Sequence, residues 1–384
     1  MPSPETVLLA VTGMSPAVLT ETVWALAHGP DSVIPSRVIA VTTTEGRRQI
    51  EAQLFTPSSR LEGLTAWESL RRSLAQLGHD PTDRLRFGTT ADDVRVITAV
   101  DPVSGRSQEL TDIRSPGDND AAADFLLEQV RAIVENPDVH LIASVAGGRK
   151  TMGALLYACL TLVGRETDRL THVLVSEPFE TFREFYFPGQ PGGLVSGRDA
   201  RTLDPAMATV ELADVPFVPL RNLFPRHLGR KVGTFSRLVD SCREHVRQAA
   251  GENVRLTLDE TRTEIEANGV RLKLSPREHL LLLFLALRAK GDEPPLVAQK
   301  DAIGALNEFR THLLRSAAPD DFTDWRHTPS LGTPLEEGDL RKALSSLRQR
   351  LREAGPATAA VAACLPQKGR FALSVPGPLI FVRQ

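Results

Sequence analysis

The stretch VHLIASVAGGRKTMGALLYACL, residues 139–160, decides the fold. Val139 to Ser144 is a short apolar run of the kind that makes a buried strand. Ala146-Gly147-Gly148-Arg149-Lys150-Thr151 is a glycine turn, and from Lys150 to Leu162 apolar residues recur at helical spacing. Strand, glycine turn and helix in immediate succession form the unit from which parallel α/β sheets are built. The pattern recurs at the start of the chain. Thr6 to Val11 reads as a strand, Thr12-Gly13-Met14-Ser15-Pro16 as a turn, and Pro16 to Ala27 as a helix carrying Val18, Leu19, Val23 and Leu26 on one side.

Working outward, Arg37 to Thr42 repeats the strand pattern and runs through a polar turn at Thr43 to Gly46 into a helix over Arg47 to Phe55. A helix from Thr65 to Leu77 and a strand near Leu85 to Gly88 continue the alternation. Asp93 to Glu109 reads as an inserted hairpin, and Ile113 to Asp120 as a polar loop. Ala121 to Val134 is an amphipathic helix, and Leu170 to Val175 another strand. The expected fold is α/β, a Rossmann-like and mainly parallel sheet with helices on both faces.

The 384 residues are enough for two domains. We expect a ligand-binding domain over 1–215, a linker and connecting helix over 216–250, and a smaller α+β domain over 251–384. The second is expected to start with strands at Val254 to Leu258, Arg262 to Ala267 and Val270 to Leu274, the last two joined by Asn268-Gly269, a type I′ turn signal. Ser275-Pro276 with Glu278 marks a helix start. Asp339 to Glu353 is a further helix, and Ala372 to Val375 and Leu379 to Val382 read as closing strands. The stretch from Asp292 to Gly338 has no assigned role.

Splitting the chain after Pro225 gives 20 Lys+Arg against 29 Asp+Glu before it and 25 against 19 after it, so the net charge of -3 divides into about -9 and +6. An acidic first half argues against a general polyanion surface, while the basic second half leaves nucleic acid open as a partner. Three cysteines, Cys159, Cys242 and Cys364, form no metal-site spacing and are expected as buried thiols. The N-terminal apolar run is too short for a signal or membrane segment, so we expect a cytoplasmic protein without a membrane partner. No metal site and no cofactor are expected. The pairs Asp92-Asp93 and Asp320-Asp321 read as solvated turns, and His172 as a packed strand residue.

In open α/β sheets, ligands bind where strands end and helix N-termini present unpaired N–H groups. Both glycine turns fall at that position. Two consecutive glycines admit backbone geometry that other residues resist, and Lys150 beside them can neutralise a phosphate. Neither turn is a standard dinucleotide or P-loop fingerprint, so NAD or ATP use is not indicated.

Val11 to Pro16, Asp112-Ile113-Arg114 with Asp118-Asn119, and Ser144 to Met152 followed by Gly164-Arg165 and His172 to Ser176 together resemble the CRISPR-associated Rossmann-fold family, especially its ring-nuclease branch. The resemblance spans about residues 5 to 190. It implies a homodimer whose paired turns hold a cyclic oligoadenylate, most commonly cyclic tetra-adenylate. It also implies metal-independent cleavage, with Ser15 and Lys150 at the motif positions of the important hydroxyl and lysine. Thr12, Gly13, Met14, Gly147, Gly148, Arg149, Thr151 and Arg114 are the accompanying ligand-binding candidates. RNA supplies its own nucleophile, since an aligned 2′-hydroxyl gives a 2′,3′-cyclic phosphate. The protein then needs mainly to orient the ring and stabilise charge.

Relatives of this kind also act as sensors that pass the signal to an effector domain. Arg221 to His227 fits the Arg-x(4 to 6)-His spacing of a helical ribonuclease but sits in a proline-containing linker rather than a helix, and we read the match as chance. Residues 254–382 instead resemble a winged-helix domain, with Arg341, Lys342, Arg348 and Lys368 as candidate DNA contacts. A non-catalytic sensor that regulates DNA binding is therefore the alternative to a ring nuclease, and a ring-activated nuclease is a third.

Overall fold

The computed structural model describes residues 5–79, 81–101, 104–196, 202–223, 233–316, 324–367 and 370–383. The chain divides into two compact units, Met1–Leu238 and Val239–Gln384.

In the first unit, β1 (Glu5–Val11), α1 (Ala17–His28), β2 (Arg37–Thr42), α2 (Thr44–Leu54) and α3 (Ala66–Gln76) lead to the short β3 (Val94–Val96) and a hairpin of β4 (Thr98–Val100) and β5 (Ser107–Glu109). Then follow α4 (Pro116–Val134), β6 (Val139–Ser144), α5 (Lys150–Val163), β7 (Arg169–Val175), the two-residue strands β8 (Val195–Ser196) and β9 (Thr202–Leu203), and β10 (Val210–Asp214). Six strands form one sheet in the order β10-β7-β6-β1-β2-β3, parallel except for β10 on β7. The Rossmann-like, mainly parallel fold is thus present.

The order defines a topological switch point. From β1 the chain crosses to β2 on one side, and from β6 it crosses to β7 on the other. The sheet therefore reverses direction between β1 and β6, and their carboxyl ends open a crevice at a topological switch point. Ala10 pairs with Ser144 in register, so both glycine turns leave the sheet at the same level.

Three local readings change. Pro116 to Asp120 is the first turn of α4 rather than loop, because Ser115 accepts the Asp118 N–H while the Asp118 carboxylate accepts the Ser115 N–H, a reciprocal cap. Leu85 to Gly88 is not a strand: Leu85 takes a left-handed φ of 55°, and only Arg86 bridges Arg37. Thr43 to Gly46 is a helix start, with Thr43 as cap.

Helix α6 (Phe235–Glu252) runs across the boundary between the units. The second unit has β11 (Leu256–Asp259), β12 (Glu264–Ala267), β13 (Val270–Lys273), α7 (Pro276–Lys290), α8 (Gln299–Arg315), α9 (Glu337–Glu353), α10 (Pro356–Ala363) and β14 (Ile380–Arg383). Its sheet runs β13-β12-β11-β14. Asn268 and Gly269 both have positive φ, the geometry of the expected turn. The unassigned stretch holds α8, which buries Ala302, Leu306 and Leu313. Ala372 to Val375 is not a strand; the bridges lie just before it, Phe371 to Leu296 and Arg370 to Gln367.

Candidate functional site

The two glycine turns touch. A Cβ on Gly13 would stand 3.2 Å from the Gly148 Cα, and one on Gly147 would stand 2.9 Å from the Val11 carbonyl oxygen and 3.1 Å from the Thr12 Cα. Gly148 also takes φ +79°, so a side chain there is strained as well as crowded. A third glycine completes the contact: a Cβ on Gly46 would fall 1.9 Å from Thr42 Oγ1 and 3.3 Å from the Gly13 Cα. Gly46 was not among the sequence candidates, since nothing local in Thr43 to Gly46 reports that the first turn lies against it.

Backbone N–H groups of both turns are left unpaired around this contact. Those of Gly13, Met14, Ser15, Gly147, Gly148 and Arg149 have no acceptor among the described residues. Neither α1, preceded by Pro16, nor α5, preceded by Arg149, is closed by a side-chain cap. Two helix N-termini and two turns thus leave their donors unsatisfied around one crevice, the arrangement that attracts an anion.

The candidate side chains divide. Met14, Ser15, Lys150 and Thr151 are exposed, and Lys150 has no ion-pair or hydrogen-bond partner among the described residues. Thr12 is buried: its N–H donates to the Val41 carbonyl at 3.1 Å and its carbonyl accepts from Thr42 Oγ1 at 2.8 Å, which ties the turn to β2. Arg149 donates through Nε and Nη2 to the Asp112 carboxylate, and Arg114 Nε donates to the same group at 3.1 Å. The Arg149 hydrogen bonds, with help from Arg114 and the Ile113 N–H, outweigh partial burial and hold Asp112 well below the usual carboxylate range. Arg149 and Arg114 thus share one counter-charge, while Lys150 keeps its own charge uncompensated.

Beside the turns opens a cavity of about 930 Å³. Met14, Ser15 and Ala146 contribute from the turns, Gln49 and Gln53 from α2, Ala17, Val18 and Glu21 from α1, His172 to Val175 from β7, and Glu180 to Arg183 from the segment after it. Gln53 Nε2 donates to the Met14 carbonyl at 3.3 Å, so α2 steadies the exposed end of the first turn. Arg114 lies elsewhere, on a depression shared with Asp112 and Asp118. His172 borders the cavity with its Nδ1 buried and without a partner.

Glu21 was also missed by sequence reasoning. It is only 7% exposed and has no hydrogen-bond or ion-pair partner among the described residues, and burial pushes its carboxyl up to about 8. The available signal was an acid in an otherwise apolar helix, AVLTETVWALAH.

Other candidates are tied into structure. Arg221 donates to the Val134 carbonyl at 3.1 Å, near the end of α4, and His227 lies outside the described residues. Asp93 is not simply solvated, because it accepts two hydrogen bonds from Arg37; Asp320 and Asp321 lie outside the described residues. Among the described residues no group of three or more His, Cys, Asp or Glu could hold a metal ion, and no helix is long and apolar enough to cross a membrane. The three cysteines are buried and free.

In the second unit, Arg341 pairs with Glu337 at 3.0 Å, Arg348 donates to the Pro366 carbonyl at 2.7 Å, and Lys342 is exposed. Lys368 lies outside the described residues. Arg341, Arg348 and Arg352 line a groove with Leu340, Leu344 and Phe371.

The first unit is therefore an α/β domain of the Rossmann-like class, with unpaired turn N–H groups at its switch point. The family model for CRISPR-associated protein NE0113 matches residues 15–245, and the chain belongs to that family. No curated protein matches it. Among solved structures it is similar to Enterococcus italicus Csm6 bound to cyclic hexa-2′-fluoro-hexa-dAMP. The identity is 11% over 94% of this chain and 83% of that one, with a TM-score of 0.30.

Proposed function

We propose that the first unit binds a cyclic oligoadenylate, cyclic tetra-adenylate foremost, and cleaves it without metal, lowering the second-messenger level in a CRISPR response. The observation that carries this reading is the set of unsatisfied N–H groups on two touching glycine turns, beside a cavity of nucleotide-binding size, in a CRISPR-associated family. Successive phosphates of the ring would lie on the two turns. Two copies of the chain would enclose it, a role that suits the exposed Met14 (62%) and Leu174 (51%) at the cavity.

In the cleavage step the 2′-hydroxyl attacks the adjacent phosphorus, the P–O5′ bond breaks, and the products are a 2′,3′-cyclic phosphate and a 5′-hydroxyl. Lys150, which carries no competing carboxylate, stabilises the charge that builds on the phosphorane oxygens. Ser15 positions the phosphate or the 2′-hydroxyl, and the Gly147 and Gly148 N–H groups hold neighbouring oxygens. Arg149, committed to Asp112, shapes the turn. Thr12 acts through the backbone alone.

The test is incubation of the purified protein with labelled cyclic tetra-adenylate in excess chelator. Linear di- or tetra-adenylate ending in a cyclic phosphate is the expected product, and a ring still intact after prolonged incubation with excess protein would overturn cleavage. Lys150→Ala should slow the reaction by roughly 10²- to 10³-fold, the usual loss of one transition-state donor, and Arg149→Ala by much less. Equal losses would reverse those two roles.

A second reading, a sensor that regulates DNA binding, draws on the arginine-lined groove and the exposed Lys342 of α9. It requires DNA binding that changes when the ring is added, and its absence at low salt would end it.

A further inference from the structure

We propose that Glu21 reads the base of the bound nucleotide, donating its carboxylic O–H to a ring nitrogen of adenine and accepting an N–H from the exocyclic amino group. This rests on the reading of the cavity as an oligoadenylate site.

Position comes first. Ala17, Val18 and Glu21 share the cavity-facing side of α1, and Glu21 stands one helical turn, about 6 Å, inside the end whose N–H groups face the crevice. A nucleotide whose phosphate rests on those N–H groups directs its base along this wall. Apolar Val173, Val175 and Phe182 line the same cavity and suit the faces of an aromatic base.

Chemistry comes second. Glu21 is largely buried and its carboxyl, without a partner among the described residues, has only the cavity to face, where an apolar residue would cost this helix less. The cost is explained if the partner arrives with the ligand. Burial keeps the group in its acid form at neutral pH. The polar side chains that face the cavity around it are Ser15 from the first turn, Gln49 and Gln53 from α2, His172 from β7, and Thr181 with the charged Glu180 and Arg183 from the segment after β7. None of them is hydrogen-bonded or ion-paired to Glu21. A carboxylate only accepts; a carboxylic acid has one donor beside one acceptor. That is the complement of adenine, which presents a ring-nitrogen acceptor beside an amino donor.

The experiment measures binding of uncleavable 2′-deoxy cyclic tetra-adenylate to the full chain. Glu21→Gln, which keeps one donor beside one acceptor, should bind within about threefold of the parent, while Glu21→Leu should weaken binding by roughly 10- to 100-fold, the worth of one bidentate base contact. The parent should also lose affinity for the same ring built from N6,N6-dimethyladenosine, which lacks the amino donor, and the Leu variant should not discriminate the two rings. Parent-like binding by Glu21→Leu, or equal binding of both rings by the parent, overturns the assignment. Failure of the parent to bind the adenylate ring at all overturns the functional reading instead, so the two failures are distinct.

Discussion

Two glutamates, one in each unit, are buried almost equally and have opposite electrostatics. Glu278 in α7 is 1% exposed. It accepts the Ser275 N–H at 2.8 Å, the Ser346 hydroxyl, and Arg350 Nε at 3.1 Å. Burial pushes its carboxyl up, but those hydrogen bonds and the Arg350 charge outweigh it and leave the group below its ordinary value. Glu21 in α1 is 7% exposed, has no partner and is raised to about 8. A fully partnered buried carboxylate keeps its charge and ties helices together; an unpartnered carboxyl at a cavity wall gives its charge up and holds its proton instead.

The largest effect is expected at Glu278. Glu278→Leu strands Arg350, Ser346 and the Ser275 N–H, and should cost about 3 kcal/mol or more in urea unfolding followed by circular dichroism. A loss under about 1 kcal/mol would mean the network is decorative.

Glu21→Gln should do the reverse. The folded state of the parent holds a proton that the unfolded state has released between pH 4.5 and about 8. The parent therefore loses stability as pH rises through that window, at about 1.4 kcal/mol per unit, and the loss levels off above it. The variant should match the parent near pH 4 and exceed it by about 3 kcal/mol at pH 7. A constant difference across that range would show that Glu21 does not titrate there.

Smaller effects sharpen the contrast. Ser346→Ala removes one partner of Glu278 and should cost about 1 kcal/mol. Arg149→Ala breaks an ion pair whose arginine side chain is 57% exposed, and should leave the urea midpoint nearly where the parent has it.

Much of the fold was legible because it is written in local periods. The strands and helices around both glycine turns, and the Asn268-Gly269 hairpin, follow from spacing and turn chemistry. Leu85 to Gly88 misled because an apolar composition does not reveal a left-handed residue at Leu85, and Pro116 to Asp120 misled because a polar first turn resembles loop until its reciprocal cap is seen. At the site, the turns were visible as sequence, whereas their contact was not. Gly46 and Glu21 acquire meaning only from what lies across from them. Arg149 and Lys150 look alike side by side in the chain, and it is Asp112, 37 residues earlier, that separates them.

The touching glycines have one more consequence. Because no Cβ fits between the turns, the floor of the crevice has no side chain to exchange. Its shape is fixed when the sheet folds, and occupation need not wait for the turns to rearrange. Side chains that can be exchanged without disturbing that contact stand beside it, as Met14, Gln53 and Arg183 do along the cavity. The glycine contact is the constant part of this region, and the cavity lining beside it is the variable part.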